Sequence, residues 1–70
     1  MTVTVKLNGE THELPDGATV ADAVAAVGAP SDGRGVAAAV DGEVVPRSAW
    51  ASHPLAVDDR VEVLRAVQGG

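Results

Sequence analysis

Between Thr2 and Leu7 polar and apolar side chains alternate, with Val3, Val5 and Leu7 on one parity and Thr2, Thr4 and Lys6 on the other. A period of two belongs to a strand with one buried face, because successive Cβ atoms of an extended chain point to opposite sides. Asn8-Gly9 follows, a pair that tolerates positive φ at both positions and suits a two-residue hairpin turn. "ETHEL" predicts the returning strand, and Pro15-Asp16-Gly17 closes it with turn chemistry.

From Thr19 the period changes. Val20, Ala23, Val24 and Val27 recur at helical spacing, Thr19 is placed to N-cap them with Asp22 three residues on, and Gly28 ends the run. An acidic Asp22 in the first turn also suits the positive end of the helix dipole. "APSDGRG", residues 29–35, reads as a loop. "VAAAV" predicts a third strand whose small alanines suit a crowded central position under the helix. Asp41-Gly42 is a turn, and a short fourth strand stops at Pro46, which has no N–H for a ladder. "RSAWASHPLAVDD" is an irregular crossing, and Arg60 to Val67 are the last strand.

Two strands, a helix, a connection and two or three further strands predict an α+β fold of the β-grasp (ubiquitin-like) type: a mixed sheet of four to five strands with one main helix across one face. In that arrangement the first and last strands lie side by side and parallel, so the last strand's far end projects from the body. Residues 1–67 are expected to form the domain and 68–70 a flexible tail.

Composition narrows the chemistry. The 70 residues contain no cysteine, so no disulfide or thiolate metal site reinforces the fold, and no thiol of the chain's own is available for catalysis. The apolar content of 46% is mostly Val and Ala, and Trp50 is the only aromatic residue, which argues for packing against the sheet edge rather than exposure. A formal charge of −5 disfavours nucleic acid and anionic membranes as partners. With no signal-peptide pattern and no apolar run near the ~18 residues of a membrane span, a cytoplasmic location is expected.

His12 and His53 lack partners at metal-ligand spacing and read as surface residues. Ser31, Ser48 and Ser52 have no base beside them, and Ser48 reads as the cap of a short helical turn. "SDGRG" lacks the lysine and spacing of a phosphate loop. On the last strand, Val61, Val63 and Val67 share the core parity. Arg65, of the same parity, is expected at the strand end with its head in solvent. Leu64 and Ala66 fall on the open face, an apolar pair suited to docking a partner. Asp58, Asp59 and Glu62 are either steering charges for a basic partner or a solvated turn.

The sequence ends "AVQGG". Gln68, Gly69 and Gly70 offer a thin probe with an ionised terminal carboxylate, suited to a narrow channel where a Cβ would clash. A frayed, functionless tail is the plain alternative.

Several stretches together, "LNGE", "LPDGATV", "VDGEVVPRSAW", "DDRVEVL" and "AVQGG", resemble the ThiS family, the ubiquitin-like sulfur carriers of thiamin biosynthesis, over essentially the whole chain. Two positions depart from its usual pattern: Asp41, where the family usually has Asn, and Asp59, where Gly-Asp or similar turns are common. The resemblance implies that the chain is a carrier and co-substrate rather than an enzyme. An E1-like adenylating enzyme, using its own ATP and Mg²⁺, would activate the Gly70 carboxylate. A cysteine desulfurase or other persulfide donor would supply sulfur to form a thiocarboxylate, for delivery to thiazole synthase. No cofactor is expected on the chain itself. The alternatives are a carrier for molybdopterin synthase or another pathway, a ubiquitin-like protein modifier, and a binding module with an idle tail.

Overall fold

The computed structural model describes residues 1–29 and 34–65. The alternating N-terminal segment forms β1 (Thr2–Leu7), paired antiparallel with β2 (Glu10–Pro15) through the Asn8-Gly9 turn. Asn8 and Gly9 take φ of +51° and +84°, and Asp41 and Gly42 repeat the pair at +51° and +85° between β3 (Val36–Val40) and β4 (Glu43–Val45). Two consecutive positive φ values match the right-handed twist of the flanking strands, so both hairpins close without splaying.

Helix α1 (Val20–Ala26) begins where the pattern predicts. The Asp22 carboxylate accepts the Thr19 backbone N–H at 2.8 Å, occupying a donor at the helix start. At the other end, Gly28 at φ +75° donates to the Ala25 carbonyl and Ala29 donates to that of Val24. This is a Schellman closure, whose left-handed residue glycine provides without a Cβ clash.

β5 (Arg60–Arg65) completes a five-stranded sheet of order β2-β1-β5-β3-β4. β5 runs parallel to β1, with Lys6 opposite Arg60 and Leu7 opposite Val61, and antiparallel to β3. The first and last strands are thus neighbours in a mixed sheet. The strand predicted through Val67 is described to Arg65; Ala66, Val67 and the expected tail of 68–70 lie outside the described residues.

Val3, Val5, Leu7, Val20, Ala23, Val24, Ala38, Val61 and Val63 are all buried between α1 and one face of the sheet. β3 is an interior strand but not the central one, and only Ala38 of its three alanines faces the core. Ala37 and Ala39 have the opposite parity, so the expectation of a crowded site holds for one alanine of three.

The crossing contains a 3₁₀ helix, η1 (Arg47–Ser52), stitched to the start of α1 by bonds from Val20 N–H to the His53 carbonyl and from Leu55 N–H to that of Ala18. Its N-cap is Pro46, and Ser48 lies within the helix. The expected Ser48 cap is therefore displaced by two residues, because Pro46 already holds the extended φ of −63° that starts the turn. Trp50, 6% exposed, packs from η1 beside edge strand β4, as its singular size suggested. None of the described residues forms a helix long and apolar enough to cross a membrane.

Candidate functional site

With α1 covering one face, the other face of the sheet is open, and strand parity decides what it shows. β5 presents Arg60, Glu62 and Leu64 there, while Val61 and Val63 point into the core. Leu64 is 64% exposed, which places one predicted docking residue where the parity argument put it. Its companion Ala66, and Gln68, Gly69 and Gly70 of the tail, lie outside the described residues.

The apolar surface around Leu64 is larger than the sequence suggested. Ala37 stands opposite Leu64 in the β3–β5 register, and Ala39 stands opposite Val44 in the β3–β4 register. Val44 is 76% exposed. Leu64, Ala37, Ala39 and Val44 therefore share one face across three adjacent strands, a contiguity that no single segment of sequence displays. The parity of "VAAAV" contained the signal, but only the strand order joins it to Leu64.

A groove of about 540 Å³ runs along this face where β1 ends beside β5, lined among others by Lys6, Arg60, Glu62 and Leu64. Lys6 and Arg60 are register partners, so two basic residues line it side by side in a chain whose net charge is negative. Arg65 is exposed opposite Val36, as expected of a core-parity residue at the end of its strand.

The acidic turn before β5 has work within the fold. Asp58 adopts φ +67° and donates its N–H to the Thr4 carbonyl at 2.8 Å, and the Asp59 carboxylate accepts the Ala56 N–H at 2.7 Å. Asp59 thus closes its own turn with its side chain. Glu62 is exposed on the open face.

His12 is more sheltered than a surface residue: it has the core parity on edge strand β2, opposite Val5, with its side chain 36% exposed and Nε2 3.8 Å from a Glu10 carboxylate oxygen. His53 is partly buried in the crossing. Among the described residues no group of three or more His, Cys, Asp or Glu is placed to hold a metal ion. Ser31 and most of "SDGRG" lie outside the described residues.

What the described surface offers is an apolar face with charged flanks, continuous with the strand that leads toward Gly70. No curated protein matches the chain. Among solved structures, the thiamine biosynthesis protein ThiS of Geobacter metallireducens superposes with a TM-score of 0.74 at 23% identity, covering 97% of this chain and 100% of the other, and so supports the β-grasp fold. The ThiS family matches residues 5–70, which includes the diglycine. The chain belongs to the ThiS family of ubiquitin-like sulfur carriers of thiamin biosynthesis.

Proposed function

We propose that Gly70 is the sulfur-carrying residue and that the chain serves as a co-substrate of partner enzymes rather than as a catalyst. The observation that carries this reading is the family match running through Gly70, joined to a fold in which the strand leading there is central in the sheet. β5 is paired with β3 from Val61 to Arg65 and with β1 at its start, so the domain gives the terminal segment an ordered base.

In the first step the Gly70 carboxylate oxygen attacks the α-phosphorus of ATP in an activating enzyme, and pyrophosphate leaves. ATP and Mg²⁺ belong to that partner. Sulfur then attacks the acyl carbonyl and AMP departs. From a persulfide, as a cysteine desulfurase would furnish, the product is an acyl disulfide that a thiol opens to the thiocarboxylate. Thiazole synthase is the proposed acceptor of that sulfur. The open face around Leu64 is the proposed docking surface for the activating enzyme, with Ala66 as a further contact.

Intact-protein mass spectrometry tests this. The chain is incubated with an adenylating enzyme from the same cell, ATP, Mg²⁺ and sulfide, beside a chain lacking Gly70. A mass gain equal to exchanging one oxygen for sulfur, present only in the full chain, is the expected result. An adduct to lysine amines, or no change with an enzyme active on another carrier, overturns it.

A further inference from the structure

β1 and β5 overlap only briefly. Lys6 N–H donates to the Asp59 carbonyl and Asn8 N–H to that of Val61, each at 2.9 Å, and then the chain turns away at Gly9 toward β2. β5 continues for four more residues, to Arg65. On its β3 side this second half stays in register, with Ala38 opposite Val63 and Val36 opposite Arg65. On its β1 side no strand among the described residues pairs with it beyond Val61.

The Asn8 side chain takes that place. Its Oδ1 accepts the Val63 N–H at 2.8 Å, and its Nδ2 donates to the Val63 carbonyl at 3.2 Å. A primary amide presents the donor and acceptor of a peptide unit, and the amide orientation is fixed because Val63 offers one of each. The side chain thus adds one rung to the ladder after the backbone has left it. Asn is also among the residues that tolerate the positive φ of +51° found here, so a single residue both turns the hairpin and clamps a strand 55 positions away.

We infer that Asn8 is a positioning residue: its amide clamp fixes the second half of β5 and thereby the path on which the chain leaves the sheet toward Gly70. The functional part of this inference rests on the carrier reading above; the structural part does not. A terminal segment departing from a clamped strand enters a partner's channel with less backbone freedom left to lose. Asn8 lines the same groove as Leu64, so the two effects are separated kinetically: the clamp acts on kcat, which reads presentation of the terminal segment in the bound complex, and docking is read by KM.

The test uses Asn8→Gly, which keeps the positive-φ turn and removes the amide, and Asn8→Asp, which keeps the acceptor for Val63 N–H and loses the donor. All chains are studied well below their melting temperatures. Amide hydrogen exchange and backbone relaxation are measured from Val61 to Val67, and adenylation is followed by ATP–pyrophosphate exchange with the activating enzyme.

In Asn8→Gly, faster exchange at Val63 and greater backbone motion beyond it are expected. kcat should fall about fivefold to thirtyfold, the weight of ordering one residue, with KM within about twofold and Asn8→Asp between the two. Unchanged exchange and relaxation overturn the clamp, and unchanged kcat despite a lost clamp overturns its role in presentation. If even the natural chain is not adenylated, the carrier reading fails by itself, and the exchange and relaxation data still decide whether Asn8 fixes the strand.

Discussion

Asp41 and Arg60 are joined twice: the Asp41 N–H donates to the Arg60 carbonyl at 2.8 Å, and the Asp41 carboxylate oxygen Oδ1 accepts the Arg60 N–H at 2.9 Å. The β3–β4 turn is thereby tied to the first residue of β5. It also explains why Asp at a position where the family usually has Asn leaves the fold intact, since both residues accept positive φ and both present an oxygen at the same place.

Asp41→Asn is therefore expected to change stability by less than about 0.5 kcal/mol. Asp41→Ala, which loses the acceptor and strains the turn, is expected to cost about 1–2 kcal/mol. Urea denaturation midpoints for the two variants distinguish them, and equal losses would remove the Oδ1 bond from the explanation.

Trp50 donates its indole N–H to the Val45 carbonyl at 2.8 Å while its ring is buried under β4. Trp50→Phe keeps much of the ring and leaves that buried carbonyl without its partner, for an expected loss of about 1–3 kcal/mol. Trp50→Ala adds a cavity, with an expected loss of about 3–5 kcal/mol. Circular dichroism melts of both variants check the order.

Asp22 holds the Thr19 N–H at 2.8 Å and lies 3.3 Å from the Thr19 hydroxyl. Asp22→Ala removes the carboxylate that occupies this donor and complements the helix dipole, with an expected loss of about 1 kcal/mol. Glu43→Ala, at an exposed position of β4, serves as the surface control. A capping effect predicts a lower melting temperature for Asp22→Ala than for that control.

Leu64→Glu tests the open face. An exposed site predicts a melting temperature close to that of the natural chain, while KM for adenylation rises about tenfold and kcat holds. Loss of the fold would return Leu64 to the core, and unchanged KM would remove this face from the docking surface. The pattern is the converse of that expected for Asn8→Gly.

The sequence made local features legible. Alternation in "TVTVKL", the Asn8-Gly9 and Asp41-Gly42 turns, the Thr19/Asp22 start and the Gly28 stop each depend on residues a few positions apart, and each is found where expected. Features that depend on strand order were harder to see. Nothing near Asn8 indicates Val63 as its partner, and Ala37, Ala39 and Val44 join Leu64 on one face only when β5 inserts between β1 and β3. Ser48 was misplaced for a different reason: proline starts a helical turn through its fixed φ, without the side-chain acceptor by which caps are usually recognised.

Parallel pairing with a short overlap sends the ends of β1 and β5 to opposite poles. Thr2 and Arg65 are separated along the strand direction by about nine residue steps, roughly 30 Å at the usual rise, and Met1 is fully exposed at the far pole. An affinity handle or fluorophore fused ahead of Met1, or a tether fixing the protein to a bead there, consequently stands clear of the surface through which the activating enzyme is proposed to approach. Capture through that end leaves Leu64 and the Arg65 end of β5 facing outward.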